Sequence, residues 1–214
     1  MIKAISLLLA LAGFVTAAQA QDAAAGQTKA AMCIGCHGIP GYQATFPQVH
    51  KVPMIAGQGA GYITAALTAY ASGERKHPTM RGIAATLSEK DMADLAAFYE
   101  QQGKGQKAAP AEAAATPPAQ VAELLTKGAC ASCHGANFNK PVAPNYPKLA
   151  GQHGDYLLVA LKSYQHGDSA LAGRGNAIMA GQVKQFSAAE LKQLANYLAS
   201  LPGELQTVPQ SRFR

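Results

Sequence analysis

Charge is scarce in this chain: Asp, Glu, Lys and Arg make up 14% of its 214 residues. The balance is mildly basic, 18 Lys and Arg against 12 Asp and Glu, but no run of Lys or Arg and no basic helix occurs. A nucleic-acid binder is therefore not expected, and neither is a disordered polyelectrolyte. Long apolar runs are lacking after the first twenty residues. Within those twenty, Lys3 precedes an apolar stretch, 5–18, that ends at Ala18-Gln19-Ala20. This is the pattern of a secretory signal cleaved before Gln21, and its apolar core is short for a membrane span of roughly 20 residues. No cysteine stands at the cleavage point, so no lipid anchor is expected. No stretch alternates cleanly enough to predict a β-strand. Cysteine is confined to two Cys-x-x-Cys pairs, Cys33/Cys36 and Cys130/Cys133, each followed at once by a histidine.

An internal repeat organises what is present. Cys33-Ile34-Gly35-Cys36-His37-Gly38 answers Cys130-Ala131-Ser132-Cys133-His134-Gly135. Pro53-Met54-Ile55-Ala56-Gly57-Gln58 answers Pro147-Lys148-Leu149-Ala150-Gly151-Gln152. Tyr62 and Tyr70 answer Tyr156 and Tyr164, Met80 answers Met179, and Ser88 answers Ser187. Two tandem domains explain this order: residues 21–102 and 120–214, after a signal at 1–20. Between them the Ala- and Pro-rich segment 103–119 has no apolar periodicity and reads as a surface linker. Pro202-Gly203 is predicted to stop the last helix, leaving a polar tail.

Both domains read as helical, so the fold class is all-α. Ser88-x-x-Asp91 resembles a capping box and opens a helix to about Gln101, with Met92, Leu95, Ala96 and Tyr99 on one face. Ser187-x-x-Glu190 opens the matching helix, with Leu191, Leu194, Ala195 and Leu198 as its stripe. A middle helix is expected near 61–72 and 154–166, and a first helix before each cysteine pair. Domains below about 100 residues often need a cofactor to complete a core.

Two residues between the cysteines match the two vinyl groups of a haem, and a histidine directly after the second sulfur can reach the iron. Cys33, Cys36, Cys130 and Cys133 are thus candidates for covalent attachment of two haem c groups, with His37 and His134 as axial ligands. A shared zinc site competes, but its two pairs normally lie close in sequence, and these are almost a hundred residues apart. A thioredoxin-like pair would need a βαβ setting. Two short disulfides would leave the histidines unexplained.

The second axial ligand must come from far along the chain. Met80 lies 43 residues after His37 and Met179 lies 45 after His134. They are the only methionines that answer each other, because Met54 aligns with Lys148 and Met92 with Leu191. His/Met ligation suits electron transfer. His50, His77, His153 and His166 are unpaired between the copies and are expected to be exposed or structural, although His77 could in principle compete with Met80.

With these residues in place the chain resembles the cytochrome c4 family of dihaem cytochromes, from about Asp22 to Leu201. The most specific segments are Lys148-Leu149-Ala150-Gly151-Gln152, the run from Met80 through Gly82-Ile83-Ala84 to Leu87-Ser88, and Asp91-Met92-Ala93-Asp94-Leu95-Ala96-Ala97-Phe98-Tyr99. The resemblance implies two class I cytochrome c domains related by a pseudo-twofold axis, with haem edges facing each other. It implies periplasmic electron delivery to a terminal oxidase or related acceptor. It also implies that the carbonyls of Pro53 and Pro147 accept the Nδ1 proton of His37 and His134. There are departures. Gly26 offers a small residue where the first and last helices of copy one should cross, whereas copy two has Glu123 at that position and only Ala122 nearby. Copy one also carries a longer loop, 38–52.

The expected function is a soluble periplasmic carrier of single electrons between redox proteins, without substrate chemistry and without a transmembrane segment after cleavage. An electron-accepting subunit of a periplasmic dehydrogenase is the alternative. A dihaem peroxidase would need an open sixth position, against which the paired methionines argue.

Overall fold

The structure is a computed structural model that describes residues 21–102, 104–105, 116–167 and 169–209. The segment read as a signal, 1–20, lies outside the described residues, as do most of the linker and residues 210–214.

In copy one the Asp22 carboxylate accepts the N–H of Ala24 and Ala25 at 2.9 and 3.1 Å and so opens α1 (Ala23–Lys29). Only Ala30 separates it from α2 (Ala31–His37), which carries the first cysteine pair. The long loop then folds into a small antiparallel ribbon, β1 (Gln43–Ala44) with β2 (His50–Lys51). No strand was predicted here, because two residues are too few for alternation to register. The middle helix is α3 (Ala60–Ser72). A short α4 (Pro78–Ala84) carries Met80, and α5 (Glu89–Gln102) closes the copy. Ser88 and Asp91 hold the start of α5: the Ser88 N–H donates to Asp91 Oδ2 at 3.0 Å and the Asp91 N–H donates to Ser88 Oγ at 3.2 Å.

Copy two repeats the order: α6 (Ala119–Lys127), α7 (Cys130–His134), α8 (Gly154–Gln165), α9 (Ala177–Val183) and α10 (Ala188–Ser200). Ser187 and Glu190 form a complete capping box at α10. Both expected stripes are buried, Met92, Leu95, Ala96 and Tyr99 on α5 and Leu191, Leu194, Ala195 and Leu198 on α10. α1 crosses α5 at Gly26, where an added Cβ would lie 2.1 Å from the Asp94 carbonyl oxygen. In copy two the contact is made by Val121, which joins the cluster of Ala195 and Leu198, while Glu123 is exposed. Leu124 of the same helix joins the cluster of Leu191 and Leu194, so apolar side chains and not a glycine line this crossing.

The segment after α10 is not a free tail over its described length. Leu205 is buried, and the Gln206 N–H donates to the Ala56 oxygen of copy one at 3.0 Å.

The charge knot beneath α1 allows a test. The buried Asp94 carboxylate accepts from Lys29 Nζ at 2.8 Å, from Lys90 Nζ at 3.0 Å and from the Asp22 N–H at 3.0 Å. The Lys29 bond, with the other two, holds its pKa far below the usual carboxylate range, and Lys29 likewise holds Asp91 at about 2. A depressed folded pKa stabilises fully above the unfolded value of about 3.9 and is lost as pH falls through the folded value. Asp94→Asn should therefore lower the thermal midpoint at pH 7, and the gap to wild type should narrow steadily as pH falls below about 4. Melting curves across that window check it; a gap that stays constant with pH would assign Asp94 a role without charge.

Candidate metal centres

Each cysteine pair sits on a single helical turn with its histidine. On α2, Cys33, Cys36 and His37 fall at i, i+3 and i+4, and so share one face; Cys130, Cys133 and His134 do the same on α7. The approach differs. Ala30 is right-handed, so α2 nearly continues α1, whereas Ala129 at φ 45° is left-handed and turns α7 away from α6. None of the four cysteines is in a disulfide. Cys33 packs into the core of copy one and Cys130 into that of copy two, so the pairs do not meet at one zinc. Burial pushes the Cys33 thiol up and the Cys130 thiol to about 11. That is opposite to the lowered pKa of a thioredoxin-like nucleophile.

The two histidines are held alike. His37 Nδ1 donates to the Pro53 oxygen at 2.9 Å and His134 Nδ1 to the Pro147 oxygen at 3.1 Å. A carbonyl can only accept, so Nδ1 carries the proton and the neutral ring keeps its lone pair on Nε2. Burial lowers both pKa values, against the pull of the proline bonds, which favours the neutral ring a metal requires.

Met80 and Met179 occupy matching places on short helices, α4 packed on α3 and α9 on α8. Both are half-buried. In each copy the residue three before the methionine caps its helix through the methionine's own N–H: His77 Nδ1 accepts it at 3.4 Å and Asn176 Oδ1 at 3.0 Å. His77 is thus engaged as a cap, and its ring lies edge-on to Phe46 and Tyr70. Met92 is buried in the core and Met32 is 50% exposed.

Between the copies lies a feature that sequence reasoning missed. Segments around Arg75 and Arg174 pair antiparallel: the Lys76 N–H donates to the Gly173 oxygen at 2.9 Å and the Gly175 N–H to the Glu74 oxygen at 2.8 Å. Both arginines are buried, and among the described residues neither forms an ion pair. Tyrosines surround them instead. Arg75 donates to the hydroxyls of Tyr62 at 3.1 Å and Tyr156 at 2.6 Å, and Arg174 to that of Tyr156 at 3.3 Å. Each guanidinium also lies over a tyrosine ring, Tyr70 for Arg75 and Tyr164 for Arg174. Burial raises the Tyr156 pKa, but the two guanidiniums outweigh it and bring the hydroxyl to about 7. Arg75 Nε is buried without a partner. Two buried cations served only by tyrosines, one with an idle donor, suit the carboxylates of a haem. The repeat conceals the pair because Arg75 follows Tyr70 by five residues and Arg174 follows Tyr164 by ten.

A second cross-domain contact uses the repeated Ala-Gly-Gln. Ala56 and Ala150 are buried, and Gly57 and Gly151 are left-handed at φ 83° and 74°. The turn aims each glutamine at the other copy. Gln58 Nε2 donates to the Lys148 oxygen at 3.0 Å while its Oε1 accepts the Lys148 N–H at 2.9 Å. Gln152 Nε2 donates to the Met54 oxygen at 2.9 Å while its Oε1 accepts the Met54 N–H at 3.0 Å.

The Cytochrome c family model matches twice, at residues 23–103 and 118–202. Cytochrome c4 of Azotobacter vinelandii is 32% identical over 92% of this chain and 97% of its own length. The thiosulfate dehydrogenase electron acceptor of Stutzerimonas stutzeri strain A1501 is 32% identical over 85% of this chain and 84% of its own. The crystal structure of reduced recombinant cytochrome c4 from Pseudomonas stutzeri superposes with a TM-score of 0.64 at 27% identity, covering 86% of this chain and all of that one. With one Cys-x-x-Cys-His unit in each matched half, the chain belongs to the cytochrome c4 family, a dihaem electron-transfer cytochrome with two covalently bound haem c groups.

Proposed function

We propose that the chain is a periplasmic carrier of single electrons that delivers them toward a terminal oxidase. The observation that supports this most is the repeated histidine geometry, a ring in each copy, half-buried at His37 and buried at His134, with Nδ1 fixed by a proline carbonyl and Nε2 left to bind iron. In this reading Cys33 and Cys36 hold one haem and Cys130 and Cys133 the other. His37 and Met80 would ligate the first iron, His134 and Met179 the second. Pro53 and Pro147 fix the histidine rings and tune their donation. Bound haem supplies one-electron exchange between ferric and ferrous iron. The thioethers of Met80 and Met179 would raise the potential as ligands, which suits a carrier and not a peroxidase. Arg75 and Arg174 would neutralise propionates at the domain boundary. Among the described residues no helix is long and apolar enough to cross a membrane.

A second reading is that the chain accepts electrons as a partner of a periplasmic dehydrogenase, favoured by its similarity to the thiosulfate dehydrogenase electron acceptor. Stopped-flow mixing separates the two. An oxidase-directed carrier, once reduced, should be reoxidised by membranes containing the oxidase faster than the oxidised protein is reduced by a thiosulfate-oxidising enzyme. The reverse order would favour the dehydrogenase reading.

The attachment assignment predicts that the protein purified from the periplasm has the intact mass of the chain from Gln21 plus two haems, with no free thiol. The mass of the bare chain, or of the chain plus zinc, would overturn it.

Ligation is tested by truncating the thioethers. Met80→Ala and Met179→Ala should each convert one haem of the two to a form that binds carbon monoxide readily, as seen in absorption spectra. Met54→Ala should leave both low-spin, since the half-buried Met54 engages copy two through its backbone. An iron opened by Met54→Ala and not by Met80→Ala would mean that the copies had been aligned wrongly.

A further inference from the structure

The two cross-domain glutamines touch the peptide groups that hold the histidines. The carbonyl that accepts from His37 belongs to Pro53, and the N–H of that same peptide group is carried by Met54. That N–H donates to Gln152 of the other copy at 3.0 Å. In copy two the peptide between Pro147 and Lys148 accepts from His134 at 3.1 Å and donates to Gln58 at 2.9 Å. Each histidine is therefore linked through one peptide group to a glutamine of the opposite copy. Both glutamines are buried, at 3% and 4% exposure, so these bonds are screened from water.

Hydrogen bonds through one peptide group reinforce each other. An N–H that donates pushes negative charge onto its carbonyl oxygen, which then accepts more strongly. A stronger acceptor draws the Nδ1 proton and makes the ring a better donor to iron, which favours the ferric state. We propose that Gln58 and Gln152 are positioning residues that set the donor strength of the opposite domain's histidine, so that each domain tunes the potential of the other's haem. The proposal rests on the assignment of His37 and His134 as axial ligands.

The pattern it predicts is crossed. Gln152→Leu should raise the potential of the haem attached at Cys33 and Cys36 and leave the haem of its own domain nearly unmoved. Gln58→Leu should raise that of the haem attached at Cys130 and Cys133. The expected shift is about threefold in the reduction equilibrium, ~28 mV at about 59 mV per tenfold for one electron. The isosteric Gln152→Glu and Gln58→Glu preserve shape, and as stronger acceptors they should lower the same haem's potential. Asp155→Ala is the control. It removes another cross-domain bond, from the Lys51 N–H at 3.0 Å, that touches neither histidine-bearing peptide, so its lost negative charge should shift both potentials upward, without the crossed pattern. Potentiometric titration of the holoprotein, with haems assigned by the paramagnetically shifted ring protons of His37 and His134, reads these shifts. The Nδ1 proton of the affected histidine should also move upfield in the Leu variants. Shifts confined to the mutated residue's own domain, equal shifts in both haems, or Leu and Glu moving a potential the same way would overturn the proposal. Absence of the paramagnetic histidine shifts in wild type would instead overturn the axial assignment, and the proposal with it.

Discussion

One carboxamide can satisfy both the N–H and the C=O of a single residue, and the meeting of the two halves depends on two such exchanges. Gln58 closes both backbone groups of Lys148, and Gln152 closes both of Met54. The repeated Ala-Gly-Gln supplies what this needs in three steps. A buried alanine anchors the turn, and the glycine takes the left-handed conformation that other residues resist. The glycine N–H then ties the turn to the last helix, at Tyr99 in copy one and Leu198 in copy two, both at about the same distance, 2.8 and 2.9 Å. With the turn fixed to its own core, the glutamine has little freedom except toward the other copy. A buried polar network of this kind specifies one arrangement, since leaving a buried amide unpaired costs about 1–3 kcal/mol.

Much of the fold was legible because its signals are long or doubled. The stripes of α5 and α10 run through about two turns, and their caps are written at Ser88 and Ser187. The attachment turns need only five consecutive residues and occur twice. What escaped notice is short or lies between elements. α4 and α9 have seven residues each, too few for periodicity to separate them from loop. Leu205 is one apolar residue in a polar run, and nothing local marks it as buried. Gly26 signalled a close helix crossing in copy one, but the corresponding Glu123 did not forbid one in copy two, because the contact there moved to Val121. The arginine pair is a property of the two copies together, and no single copy's pattern reveals it.

The interface is polar where the cores are apolar. Arg75 and Arg174 come from opposite halves: Arg75 reaches Tyr156 of copy two, Arg174 keeps to Tyr156 and Tyr164 of its own copy, and the backbone ladder joins them. Burying like charges side by side is costly unless anionic groups compensate. The tyrosine hydroxyls and rings supply part of that compensation through dipoles and ring faces, and Tyr156 supplies most, since it accepts from both arginines while Tyr62 accepts from one. The same exchange that binds the halves thus breaks their symmetry.

That asymmetry extends to each centre. The two copies share cysteines, histidine, proline carbonyl and methionine, so their inner chemistry is the same. Their surroundings are not. His77 caps the methionine helix in one copy and Asn176 in the other. Where copy one has Met54, copy two has Lys148, whose ammonium is paired with Glu204 and bonded to the Gly57 oxygen of copy one. The ribbon of β1 and β2 has no counterpart among the described residues of copy two. Hydrogen bonds, charge and solvent access set the potential of an iron centre once its ligands are fixed. Two copies with one proposed set of ligands and different surroundings would therefore be chemically alike and energetically unequal. On the proposed ligand assignment, any inequality between the two centres would come from these outer residues, since the inner ones do not differ.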